Sequence, residues 1–214
     1  MTGKLLTELI GTFFLVLTIG LTVIGETPFA PLAIGSALMV MVYMGGHVSG
    51  GHYNPAVTLA AWARGAIGGG QVVPYWVAQL LGAFLAAVAT WAITRETYAP
   101  APGDTATILG AFLVEILFTF ALALVVLQSA MTPETKGNSY YGLAIGFTVA
   151  AGAFAGGGIS GGAFNPAVGL GPILFDRLAA GGTMSNAWLY LVAPLLGGLI
   201  AAGVYRIQKR EAAA

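Results

Sequence analysis

Cysteine is absent from the sequence, and His47 and His52 are the only imidazoles. Thiol nucleophiles, disulfides and thiolate metal sites are thereby excluded. An enzyme needs a nucleophile, a base or a metal site gathered in a pocket. Two histidines in one short segment do not make one, so neither catalysis nor a metal or cofactor is expected. Eight Lys and Arg balance eight Asp and Glu, which leaves no basic field to hold a nucleic acid. What the chain does contain is one segment written twice. Gly46 to Val57 reads GHVSGGHYNPAV and Gly157 to Val168 reads GGISGGAFNPAV, with Asn165 standing where Asn54 stands; from Ser49 and Ser160 onward seven of nine positions agree.

Each copy suits irregular backbone that turns into a helix. Gly50, Gly51, Gly161 and Gly162 permit unusual dihedrals and close approach. Asn54 and Asn165 stand where an N-cap is wanted, and Pro55 and Pro166 where a first turn begins. Short helices of about nine residues are therefore expected from Ala56 to Arg64 and from Ala167 to Phe175, around half a membrane thickness each. The chemistry on offer belongs to the backbone. Carbonyls of Gly50, Gly51, His52 and Tyr53 form one ladder, and those of Gly161, Gly162 and Ala163 a second. Two helix N-termini, each with roughly half a positive charge, and the Asn54 and Asn165 amides lie between them. Such a centre polarises a file of hydroxyls or waters in opposite directions and raises the barrier to cations and protons.

The elements that position these segments follow from composition and charge spacing. Hydrophobic residues make up 57% of the chain and charged ones 7%, against about 25% charged in ordinary soluble domains, so the chain is expected in a lipid bilayer. Uncharged stretches separate Glu8 from Glu26, Glu26 from Arg64 and Arg64 from Arg95. The second half repeats this from Glu115 to Glu134, from Lys136 to Asp176 and from Arg177 to Arg206. A crossing takes roughly 20 apolar residues, so six spans are expected, near 4–24, 32–49, 74–95, 106–130, 140–157 and 186–207. The middle stretch of each half is too long for one span and too short for two plus a turn, so each holds one span and about half of another. ELIGTFFL at Glu8 and EILFTFAL at Glu115 extend the repeat. The chain reads as two homologous halves, 1–100 and 101–214, joined by the polar stretch Tyr98 to Thr105. Three spans per half is an odd number, so the halves lie oppositely in the membrane as an inverted repeat, with their irregular backbone meeting near the midplane.

Lys4 before an apolar run is reminiscent of a secretory signal, but Glu8 interrupts the run and the remaining chain is equally apolar. Placing the N-terminus in the cytoplasm puts Lys4, Arg64, Lys136, Arg206, Lys209 and Arg210 inside and only Arg95 and Arg177 outside. The positive-inside bias therefore predicts both termini in the cytoplasm.

The paired Asn-Pro-Ala motifs, Asn54 to Ala56 and Asn165 to Ala167, with glutamates in the first and fourth spans, resemble the aquaporins of the major intrinsic protein family along essentially the whole chain. The resemblance implies an all-α membrane protein of six transmembrane helices plus two re-entrant half-helices. It further implies a single channel domain over residues 1–214, located in the cell (inner or plasma) membrane and assembled as a homotetramer with one pore per subunit. It assigns Glu8 and Glu115 to hydrogen bonds with the re-entrant backbone, where their position in lipid alone would also allow proton relay.

The family's selectivity filter maps onto Ile34, Ala153, Gly162 and Val168. Here the chain departs from the usual pattern. Arginine ordinarily follows the second motif, and this chain has Val168; water-selective members carry an aromatic and a histidine where Ile34 and Ala153 stand; glycerol channels carry an aspartate where Gly169 stands. A guanidinium repels cations and supplies directed donors, and valine does neither. A wide, uncharged filter is expected, passing water with larger neutral solutes such as glycerol, urea, ammonia and arsenous acid. The valine also resembles a bacterial subgroup associated with arsenic resistance, whose channels pass arsenite and methylated arsenicals. A water-selective channel is the alternative. An ion-coupled secondary transporter also uses inverted repeats, but only Glu8 and Glu115 would serve its coupling.

Other polar and aromatic residues admit packing or function. His52 stands as a pH gate or as a packed ring whose carbonyl faces the pore, and His47 reads as structural. Phe154, Tyr43 and Tyr190 read as packing before pore lining. Gly35, Gly82, Gly146, Gly197 and Gly198 suit close helix contacts, and Trp62, Trp76, Trp91 and Trp188 suit interfacial belts near span ends.

Overall fold

A computed structural model describes residues 1–212, with side chains described as far as residue 209. It contains eight α-helices: α1 (Thr2–Ile24), α2 (Ala30–Ser49), α3 (Pro55–Ala63), α4 (Val72–Thr94), α5 (Ile108–Ala130), α6 (Tyr141–Ser160), α7 (Pro166–Ala179) and α8 (Ala187–Ala212). All but α3 and α7 are long and apolar enough to cross a bilayer. The six expected spans fall on these six helices, with ends displaced by at most five positions.

The lengths of two helices differ from expectation. The glycines Gly156, Gly157 and Gly158 point to an early end of the fifth span, yet α6 runs through them to Ser160; a helix in lipid must satisfy its backbone internally, which outweighs glycine's poor propensity. The second short helix is 14 residues rather than about nine. It continues past Phe175 to Ala179, and there the Thr97 hydroxyl donates to the half-buried Asp176 carboxylate at 2.6 Å.

α1 packs on α4 as α5 packs on α8, and α2 packs on α6 between the two halves. The α2–α6 contact depends on missing side chains. A Cβ on Gly35 would meet the Gly146 carbonyl and Ala150, and a Cβ on Gly146 would meet the Gly35 carbonyl and Met39. Each short helix is clasped by the opposite half, α3 against α8 and α7 against α4. Outward faces carry large apolar side chains, among them Phe14, Leu81, Leu117, Phe147 and Phe154, as a lipid-facing surface requires. Of the four tryptophans, Trp76 near the start of α4 has a further partner: its indole donates to the Pro55 carbonyl at 3.0 Å, at the start of α3.

Candidate pore

The asparagines do two jobs at once. Each caps its short helix from an extended conformation, Asn54 Oδ1 accepting from Ala56 N at 2.8 Å and Asn165 Oδ1 from Ala167 N at 2.9 Å. Each Nδ2 then crosses to the other segment, Asn54 donating to the Phe164 carbonyl at 2.9 Å and Asn165 to the Tyr53 carbonyl at 2.8 Å. The N-termini of α3 and α7 are thereby pinned face to face. An amide nitrogen has two hydrogens, so each asparagine retains one donor beyond this pairing. Pro55 and Pro166 start the two helices, and Ala56 and Ala167 are fully buried.

Approach to each cap is bent the same way. Gly50, Gly51, Gly161 and Gly162 all have φ between 62° and 97°, and Tyr53 and Phe164 have φ of 49° and 50°. Non-glycine residues enter this left-handed region only when the surroundings hold them there. The holding groups are the buried glutamates. Glu8 accepts from Ser49 Oγ (2.7 Å), His52 N (2.9 Å), Tyr53 N (2.7 Å) and Gln79 Nε2 (2.8 Å). Glu115 accepts from Ser160 Oγ (2.7 Å), Ala163 N (3.0 Å) and Phe164 N (2.6 Å). Tyr75 and Tyr190 complete the frame by donating to the Ser49 and Ser160 carbonyls. The sequence does not single out either tyrosine for this role, because each lies in a different span from the serine it serves.

With its N–H groups bound outward to the glutamates, the backbone turns its acceptors the other way. No described residue donates to the carbonyls of Gly50, Gly51 and His52, or to those of Gly161, Gly162 and Ala163. Unpartnered carbonyls at membrane depth demand water or a polar solute. Alongside them runs a cavity of about 420 Å³, whose lining includes Asn54, Asn165 and all four expected filter residues, Ile34, Ala153, Gly162 and Val168. Among the described residues, no Lys, Arg, Asp or Glu lines it.

Two members of the expected ladder differ from the rest. The Tyr53 carbonyl is engaged by Asn165. Gly50, which closes α2 with its N–H on the Gly46 carbonyl, is exposed but lies beyond the cavity. Tyr43, Phe154 and Tyr190 do not line the cavity. The His52 ring sits 3.0 Å from Thr58 Oγ1 and against the Tyr75 ring, and His47 is exposed.

Sequence reasoning missed the outer wall. Tyr98, Ala99, Pro100 and Ala101, read only as a joint between halves, line the cavity mouth. Tyr98 Oη is fixed to the Val16 carbonyl at 2.9 Å and Gly103 N to the Ile159 carbonyl at 3.1 Å. A proline-bearing apolar turn within a polar connection was the available signal.

A family model described as "Major intrinsic protein" matches residues 1–205. The chain belongs to the major intrinsic protein family. This family member is 36% identical to the "Glycerol uptake facilitator protein-like 6" of Lactiplantibacillus plantarum over 97% of its own length and 99% of that protein's. It is 39% identical to "Aquaporin TIP1-1" of Arabidopsis thaliana, over 83% of this chain and 70% of that one. Its fold superimposes on the X-ray structure of the aquaglyceroporin from Plasmodium falciparum with a TM-score of 0.86, covering 95% of both chains at 24% identity. It is an aquaporin-fold protein of a channel family.

Proposed function

We propose that this major intrinsic protein is a passive channel for small neutral solutes, with a wide aliphatic filter at Ile34, Ala153, Gly162 and Val168. One observation carries the reading: these four residues, none charged and none a hydrogen-bonding side chain, share a single cavity with both asparagines. The free carbonyls accept from solute hydroxyls along one side, and the aliphatic wall passes carbon faces along the other. At the centre, the spare Asn54 and Asn165 donors and the helix N-termini turn each passing oxygen toward themselves. Solutes that fit this chemistry are water, glycerol, urea and neutral metalloid acids such as arsenite and methylated arsenicals. The name of the L. plantarum relative supports glycerol among them. In the same reading residues 1–214 form one channel domain in the cell membrane, with halves 1–100 and 101–214, both termini cytoplasmic and four copies per assembly.

Stopped-flow light scattering on proteoliposomes tests the filter. The native protein passes glycerol, urea and arsenous acid as well as water, and Val168→Arg lowers the larger solutes by about tenfold or more relative to water, a barrier of about 1.4 kcal/mol. A native protein that passes water alone would return the reading to a water-selective channel. Saturable uptake driven by an ion gradient would replace it with a coupled transporter.

A further inference from the structure

The cavity begins at the outer mouth and stops short of the inner one. Its deepest lining residues on three elements are Val57 of α3, Val126 of α5 and Ile145 of α6. No residue of the inner connection, 131–140, lines it, and Gly50, the next backbone position inward from Gly51, is exposed beyond it. Something therefore narrows the path one turn inside the paired asparagines.

The repeat identifies what does so. The shift along the chain that carries Asn54 to Asn165 also carries Ile34 to Ile145, Gly51 to Gly162 and Val57 to Val168. The slightly shorter shift that relates Glu8 to Glu115 carries Ile19 to Val126. All of these aliphatic and glycine residues line the cavity. Val168 makes the correspondence chemical as well as positional: both rings consist of one isoleucine, one glycine and one valine beside a free carbonyl ladder. The rings differ at two places, Ile19 against Val126 being one. Ala153 lines the outer ring, while its counterpart Val42 is buried away from the cavity. Ile19 and Ile34 hold in the outer ring the places that Val126 and Ile145 hold in the inner one, and it is at the inner ring that the cavity ends.

We infer that Val57, Val126 and Ile145, where the cavity ends, form a second selectivity ring on the inner side, which sets the size limit for neutral solutes. This rests on the channel reading above. A solute passing it presents its polar edge to the Gly51 and His52 carbonyls and its carbon face to the three aliphatic side chains. Because the whole chain lacks cysteine, single cysteines report the position without background.

The test uses full-length Val57→Cys, Ile145→Cys and Val42→Cys in proteoliposomes, each measured before and after methyl methanethiosulfonate, with mass spectrometry counting the added thiomethyl groups. Modification of the Val57→Cys or Ile145→Cys variant is expected to cut glycerol permeability several-fold and water permeability less, and Val42→Cys is expected to keep both. In a separate variant without reagent, Ile145→Ala is expected to raise urea and glycerol passage relative to water. Thiols at positions 57 and 145 that modify without loss of flux, or that stay unmodified under conditions that modify Val168→Cys, overturn the inner ring. Loss of all solute flux in the unmodified native protein would instead overturn the channel reading itself.

Discussion

Glu8 accepts four hydrogen bonds where Glu115 accepts three, the extra one coming from Gln79 Nε2, which also donates to Thr58 Oγ1 at 2.9 Å. Both carboxylates are fully buried, and their lone pairs are spent on holding Tyr53 and Phe164 in the left-handed region. A glutamine in either place keeps the shape but turns an NH2 toward donors. Two backbone N–H groups and a hydroxyl then lose part of their acceptor, and a buried donor left unsatisfied costs about 1 to 3 kcal/mol. Glu8→Gln is therefore expected to lower the thermal midpoint in detergent more than Glu115→Gln, because its amide also confronts Gln79. Equal losses would show that the Gln79 contact contributes nothing. The family resemblance pointed to the re-entrant backbone as partner, but the side-chain partners were not visible in the sequence: Glu8 and Ser49 lie on different helices, far apart along the chain, and only the fold sets them together. The asparagine caps were visible, since Asn-Pro before a helix encodes its own geometry.

Among elements, the helices were legible wherever lipid dictates them, since an apolar run of sufficient length between charges has one stable answer. Their lengths were less so where local propensity and environment disagree, as at the glycines near the end of α6. Pro172 inside α7 has no N–H to give the Val168 carbonyl, yet the helix runs on to Ala179. The contact of α2 with α6 shows most directly what the small residues do. At Gly35 and Gly146 the two backbones touch, and any Cβ must push a carbonyl aside. Gly35→Val is expected to destabilise the protein by about 1 to 3 kcal/mol, the usual cost of overpacking, and to reduce solute flux because Ile34, its neighbour in the chain, moves with the helix. A variant with native thermal midpoint and native flux would mean that the helices separate freely at this crossing.

At the scale of the whole molecule, charge is gathered at the two ends and differs between them. One end ties together the close of α3, the α5–α6 connection and α8. Arg64 donates to Tyr205 Oη and the Met131 carbonyl, Arg206 to the Ala63 carbonyl, and Lys209 pairs with Glu134. Lys4 and Lys136 lie on segments that reach the same end. The other end has Arg95 and Arg177, with Thr97 bound to Asp176. Cations near helix ends are retained on the cytoplasmic side, so the end with Arg64 and Lys209 is expected to face the cytoplasm and the cavity mouth at Tyr98 to Ala101 to face outward. The absence of cysteine again allows a clean assay. Thr105→Cys, exposed beside the outer mouth, is expected to react with a membrane-impermeant maleimide in intact cells. Ser139→Cys, exposed on the α5–α6 connection, is expected to react only after permeabilisation. The opposite pattern would invert the molecule, exchanging the outer filter with the inner ring and making the inner ring the first that an external solute meets.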